Sequence, residues 1–409
     1  MEQKITFLTS LFIALLISSM ECAPASPIVI VPGLLGNQIE GRLNKTSVPN
    51  FFCRKVSDWS ILWLSVELLL PEKIDCLSDN LKLKFDPKTG KYSDNDGVET
   101  RIPGFGMTSS IEYLDPSTKF YDATLYFHAM VDYFVGKGYT RGKDIVGAPY
   151  DWRVSPIQHL DSGYYSNLKT LIEKTYTING NQKIVLVVHS MGAITSLYFL
   201  NKVVDQSWKD MYIRSYISIA GAWQGVAKSV KAFASGDNEN IIIDKDIWDR
   251  AGQRTSPSTA WLLPNPSDVW PKDDVLVVTD EKNYSAWDYK ELFTDMGYPR
   301  GYEMYLEVMN LTAGLTPPNV TLHCIYGGQV NTPLTFIYGP GQFPDTDPRV
   351  VYGDGDGTVN INSLKSCEQW KTKQTYPVYS RQVLNVEHVS MAKNQEVINM
   401  VDEVVYGTQ

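Results

Sequence analysis

Histidine and cysteine are scarce in this chain, five of each among 409 residues, and the scarcity narrows the chemistry. No histidine–cysteine cluster has the spacing of a zinc site, so no metal is expected. Positive charge is in deficit, with 37 Lys and Arg against 46 Asp and Glu and a formal net charge of −9. Neutralising phosphates takes a concentrated basic surface, which argues against a nucleic-acid partner. Repeats and low-complexity runs are absent. The apolar stretch ITFLTSLFIALLISSM at 5–20 lacks the length and flanks of a membrane span. What is present is ordinary globular composition, 43% hydrophobic and 20% charged. Its 10 tryptophans and 24 tyrosines suit a surface that meets something partly apolar.

Lys4 ahead of that apolar stretch, and small residues at Ala23 and Ala25 after it, read as a signal peptide over residues 1–25, leaving 26–409 as the mature domain. Export predicts disulfide-permissive surroundings. Cleavage near Ala25 removes Cys22 and leaves Cys53, Cys76, Cys324 and Cys367. Three pairings are formally open, the simplest being the local pairs Cys53–Cys76 and Cys324–Cys367. Glycosylation acceptors at Asn44, Asn283, Asn310 and Asn319 agree with a secretory route.

Short β-branched runs punctuate the chain: IVIVP at 28–32, DIVGAPYDWR at 144–153, IVLVV at 184–188, YIRSYISIAGA at 212–222, TLHCIYGG at 321–328 and TYPVYS at 375–380. Helical patterns lie between several of them, notably YYSNLKTLIEKTY and AITSLYFLNKVV. The alternation predicts an α/β fold, a mostly parallel sheet with helices on both faces. Two regions break the rhythm. Residues 45–105 hold the apolar segment DWSILWLSVELLLPEK, read as an amphipathic piece docked on the core or lying at a lipid surface. Residues 224–320 read as a mobile lid and a cap, an insertion tolerated at the loops of a rigid sheet.

Ser190 is the candidate nucleophile. It follows the IVLVV strand and precedes a helix, the strand–turn–helix arrangement that exposes a serine hydroxyl. The string is Val188-His189-Ser190-Met191-Gly192, with valine where G-x-S-x-G has its first glycine. A hydroxyl needs a base beside it. In the chain order serine, acid, histidine, only His323 and His388 qualify. His323 sits inside a strand pattern and reads as structural; His388 follows the last strand and is the candidate base. His189 is expected to pack locally or make a supporting hydrogen bond. In VVYGDGDGTVN at 350–360, Asp356 is preferred over Asp354 as the carboxylate that holds the imidazole tautomer. A calcium loop of the EF-hand kind is excluded, because Lys365 stands where its glutamate belongs. The oxyanion donors are expected to be the backbone N–H groups of Met191 and of Leu34, in the loop after the first strand.

These residues, with VPGLLGNQIEGRL (31–43), the cysteines 53 and 76 around a tryptophan- and leucine-rich loop, IPGFG (102–106), GAPYDWR (147–153), VVHSMG (187–192), GQVNTP (328–333), DGDGTVN (354–360) and Glu387-His388, closely resemble the lecithin–cholesterol acyltransferase family. Within it, the lysosomal phospholipase A2 (group XV) branch is the nearer. The resemblance implies an α/β-hydrolase sheet, a Ser190–Asp356–His388 triad, oxyanion donors at Leu34 and Met191, and disulfides Cys53–Cys76 and Cys324–Cys367. It also implies a small membrane-binding subdomain closed by the first disulfide, with Trp59, Ile61, Leu62, Trp63 and Leu64 as lipid contacts, and a retractable lid near 224–245. Leu34 departs from the acidic residue of the lysosomal branch, so a strict acidic optimum is not transferred.

The expected activity is that of a serine phospholipase and O-acyltransferase, passing an acyl chain from a glycerophospholipid to water or a lipid alcohol, without a cofactor. Its partner is a phospholipid membrane or lipoprotein surface, and its location the secretory pathway, extracellular or lysosomal. A general secreted esterase or lipase and a noncatalytic lipid carrier are the competing readings. Turnover of soluble esters, or lipid binding without labelling of Ser190, distinguishes them.

Overall fold

The computed structural model describes residues 25–407 apart from 118, 121, 239–249 and 312–313. Residues 1–24, with most of the expected signal peptide, lie outside the described residues. Six strands build the main sheet: β1 (Ile28–Val31), β2 (Ile145–Gly147), β3 (Ile184–His189), β4 (Ile213–Ile219), β5 (Leu322–Gly328) and β6 (Val378–Leu384). Their order is β6-β5-β4-β3-β1-β2, and every pairing is parallel. Each falls on a run expected from the sequence. β1 and β3 are buried along their whole length, which is why they read as continuous apolar runs rather than as alternation.

Helices carry single apolar stripes onto this sheet. In α1 (Tyr164–Ile178) the stripe is Tyr164, Tyr165, Leu168, Leu171, Ile172 and Thr175, close to the helical period. α2 (Met191–Tyr198) springs directly from the end of β3 and buries all but its last residue. α3 (Gln395–Tyr406) is capped by the Asn394 side chain, which accepts from the N–H groups of Glu396 and Val397.

The described residues of both interrupting regions form regular elements, and both regions share sheets with strands outside the bounds expected for them. The first is a three-stranded antiparallel sheet of Val56–Trp63, Ile39–Asn44 and Val98–Arg101, joined by a helix at Ile74–Leu81 and a hairpin of Leu83–Asp86 with Lys91–Asp94. Its central strand begins at Ile39, ahead of residue 45. Cys53 and Cys76 are bonded and tie the loop between the strands Ile39–Asn44 and Val56–Trp63 to the helix. The second disulfide joins Cys324 of β5 to Cys367. The other region contains five helices among its described residues. Its strands Val275–Val278 and Asn283–Ser285 join Thr332–Ile337 and Arg349–Gly353 in a four-stranded sheet, so it continues beyond residue 320. Of the lid expected near 224–245, the described part is core: the helix Lys228–Ala234 is buried at every residue. Residues 239–245 lie outside the described residues.

One expectation about the surface is corrected. The segment around Trp59 is a strand, and strand alternation together with its pairing to Ile39–Asn44 turns much of it inward. Leu62 is 2% exposed, Trp63 3% and Leu64 6%, so none of the three is available to a bilayer. Leu62 lies against Gly41, where a Cβ would come within 2.3 Å of it. Trp63 donates its indole N–H to the Leu35 carbonyl at 2.8 Å and meets Trp152 edge-on. Trp59 and Ile61 are half-buried, Trp59 with the guanidinium of Arg101 4.3 Å from its ring. The exposed apolar side chains of this unit are Phe51 (86%), Phe52, Val56 (70%) and Leu70.

Arg153, 1% exposed, fastens this unit to the main sheet. It donates to both Asp151 carboxylate oxygens, to Asp94, to Thr100 Oγ1 and to the Leu81 carbonyl. A buried charge is tolerated when its donors are matched in this way.

α2 meets the end of β1 closely. A Cβ on Gly192 would stand 2.3 Å from the Pro32 carbonyl oxygen. Gly192→Ala is therefore expected to cost about 1–3 kcal/mol, the range for forced overpacking, read as a lower urea midpoint at unchanged slope.

Candidate active site

Ser190 lies at the turn between β3 and α2 with φ 55° and ψ −125°. A non-glycine residue at positive φ is strained, and here the strain lifts the hydroxyl out of the strand direction. The first-position valine is accommodated: Val188 is fully buried, paired with Val31 on one side and Ser218 on the other. Gly33 supplies the space in front, since a Cβ there would lie 2.7 Å from Ser190 Cβ.

The loops following the strand Arg349–Gly353 and following β6 bring the other two groups. Asp356 hydrogen-bonds backbone to backbone with His388, whose N–H donates to its carbonyl at 2.8 Å. Its side chain is fully buried, with Oδ1 accepting from the N–H groups of Thr358 (3.1 Å) and Val359 (2.7 Å). The remaining oxygen, Oδ2, is 2.7 Å from His388 Nδ1, and His388 Nε2 is 2.8 Å from Ser190 Oγ. With Nδ1–H donating to the carboxylate, Nε2 presents its lone pair to the serine hydroxyl. The three expected side chains thus meet in one hydrogen-bonded line.

Gly33, which precedes Leu34, lies against Ser190, Met191 follows it in the chain, and among the described residues neither the Leu34 nor the Met191 N–H has an intramolecular acceptor. The Gly33 carbonyl accepts from Gly36 N–H at 3.1 Å. In a trans peptide the N–H points opposite to the carbonyl, so this bond also aims the N–H of Leu34. Leu34 and Leu35 continue into a cavity whose apolar wall includes Trp63, Leu77 and Trp152, and whose other wall carries Ser229 and Thr259.

The other histidines fall outside the line. His189 Nε2 is 3.0 Å from the His388 carbonyl and its Nδ1 is 2.6 Å from Tyr126 Oη, the supporting role expected of it. Tyr126 was not legible as a site residue; it lies 63 positions from His189 in the chain. His323 stacks on Tyr379, and His159 packs among Tyr150, Tyr164 and Tyr165. His128 pairs with Glu112 at 2.8 Å. Asp354 accepts from Gln329 N–H at 2.7 Å. Among the described residues no three His, Cys, Asp or Glu side chains converge as metal ligands.

A parallel sheet that ends one strand on a strained serine, met by a histidine and a carboxylate from later loops, is the α/β-hydrolase architecture. The chain belongs to the lecithin:cholesterol acyltransferase family, whose profile matches residues 59–402. It is 41% identical over 402 residues to the human lysosomal phospholipase A and acyltransferase, covering 98% of this chain and 95% of that protein. To the rabbit phosphatidylcholine-sterol acyltransferase it is 38% identical over 383 residues, covering 93% and 85%. Among solved structures it is similar to that of a Tle4–Tli4 complex, with a TM-score of 0.52 at 12% identity, covering 94% of this chain and 98% of that one. That likeness speaks for the fold alone.

Burial lowers the pKa of His159 and of His323 to about 4, and that of His189 well below its ordinary value. In the unfolded chain these rings take up protons near pH 6.5 while the folded ones stay neutral, so stability falls as pH drops from about 6.5 towards 4. The melting temperature is expected to decline across that window, and His323→Phe, which keeps a ring against Tyr379, to flatten the decline.

Proposed function

We propose that this protein is a serine acyl hydrolase and acyltransferase of glycerophospholipids. The observation that carries the reading is the unbroken Ser190–His388–Asp356 hydrogen-bonded line in a chain of this family. Ser190 Oγ attacks the ester carbonyl while His388 Nε2 takes its proton. The N–H groups of Leu34 and Met191 hold the oxyanion. His388 returns the proton to the departing lysophospholipid, leaving an acyl-serine. Water or a lipid alcohol then gives a proton to His388 and attacks the acyl carbon, and free Ser190 is regenerated with that proton.

The unit closed by Cys53–Cys76 is assigned to the lipid surface, with Phe51, Phe52, Val56 and Leu70 as the inserting side chains. Exposed aromatic and aliphatic groups on this unit, with the Phe51 and Phe52 rings 4.0 Å apart, suit an interface that is apolar beneath and wet above. The cavity beside Leu34 is assigned to acyl chains, and residues 224–320, with the strands Thr332–Ile337 and Arg349–Gly353, to a cap over them. The relatives' names and the N-terminal apolar stretch support passage through the secretory pathway to a lysosomal or extracellular destination, with residues 1–25 removed. Asn44, Asn283 and Asn310 are exposed and Asn319 half-buried, and all four are assigned as glycan carriers.

Double-labelled phospholipid liposomes, with and without a lipid alcohol, test the activity. One acyl chain is expected to be released or transferred, and Ser190→Ala to reduce turnover by roughly 10⁵-fold or more while liposome flotation persists. Wild-type turnover in Ser190→Ala rules the assignment out. Phe51→Ser with Phe52→Ser is expected to weaken vesicle binding at least about tenfold, since two buried phenyl groups are each worth roughly 1.5–3 kcal/mol. Hydrolysis of a soluble ester should be unchanged in that variant, and equal loss on both substrates removes the lipid-contact assignment.

A further inference from the structure

Two buried side chains that the acyl-transfer scheme leaves idle join its separate parts. Tyr126 is 3% exposed and His189 2%. The Gly33 N–H donates to Tyr126 Oη at 3.1 Å, Tyr126 Oη is 2.6 Å from His189 Nδ1, and His189 Nε2 is 3.0 Å from the carbonyl oxygen of His388. Chemistry settles every direction in this series. A carbonyl oxygen only accepts, so the His189 proton sits on Nε2. Burial keeps the ring neutral, so Nδ1 is a lone pair and Tyr126 donates to it. The Tyr126 oxygen is then free to accept from Gly33. One end of the series is the loop that carries the Leu34 donor; the other is the backbone of the histidine that moves the proton.

We propose that Tyr126 and His189 are positioning residues, a strut that holds the Leu34 oxyanion donor and His388 at a fixed separation around Ser190; this rests on the reading of Ser190, His388 and Asp356 given above. Two further contacts favour a role in placement. The Tyr126 ring lies under Gly36, where a Cβ would come within 2.9 Å of it, so the ring supports the turn whose Gly36–Gly33 bond aims Leu34 N–H. The His189 and His388 rings are 4.7 Å apart, and a proton on His189 would repel the imidazolium that forms on His388 during attack. The Tyr126 hydroxyl occupies the nitrogen on which such a proton would sit. Without it, His189 is free to change tautomer and present a lone pair to the His388 carbonyl.

Tyr126→Phe removes one oxygen from a buried ring and leaves its shape. Loss of one oxyanion donor costs about 10²–10³ in rate, and a donor retained but loosened should cost less, about tenfold in kcat with KM within about twofold. The rate of Ser190 labelling by a fluorophosphonate is expected to fall equally, because phosphonylation also builds negative charge facing those donors. His189→Phe should show the same loss. His189→Gln, whose amide N–H extends towards the His388 carbonyl, should recover most of it. Melting curves confirm that each variant is folded, and if His189→Phe is not, Tyr126→Phe against wild type decides. Wild-type kcat and labelling in Tyr126→Phe overturn the strut, as does a His189→Gln variant no better than a folded His189→Phe. A wild-type protein that the reagent does not label at Ser190 overturns the underlying reading instead, which separates the two failures.

Discussion

The tight approach of α2 to the end of β1 is the constraint on which the site depends. Gly192 lies against the Pro32 carbonyl and Gly33 against Ser190, and no room is left at either contact for a Cβ. That closeness sets the sharp backbone at Ser190, keeps the loop after β1 against the serine, and leaves His388 and Asp356 only to reach across. Packing at this junction spends stability on geometry, since a serine at positive φ persists only where its surroundings over-determine it.

Much of the main sheet was legible because its physics is local. All six strands announced themselves as short β-branched runs, and the buried ones lacked alternation because both faces are covered. The triad was legible through chain order and the shortage of histidine, which left His388 with a single rival. Val188 in place of a small residue is accommodated because the close contacts occur at Gly33 and Gly192.

What could not be read depended on pairing between distant segments. Leu62, Trp63 and Leu64 look like lipid contacts as a string, yet register against Ile39–Asn44 buries them. Phe51 and Phe52 are exposed because they occupy a turn that the Cys53–Cys76 bond closes, and the only local signal was an apolar pair beside Pro49 and Asn50. Strands before 45 and after 320 complete sheets that the inserted segments contribute to, and such pairing between distant segments has no local signal. Tyr126 reaches the oxyanion loop across 93 positions, and no spacing rule reports such a contact.

The arginine at 153 has a mechanical consequence. Its guanidinium does not titrate in any biological compartment, and although burial alone would raise the Asp151 carboxyl, Arg153 overrides that and holds it below its usual range. The Arg153–Asp151 ion pair therefore persists to lower pH than an unpaired carboxylate would allow. The disulfide-closed unit is thereby held to the sheet that carries Ser190 by a buried cation and not by apolar packing alone.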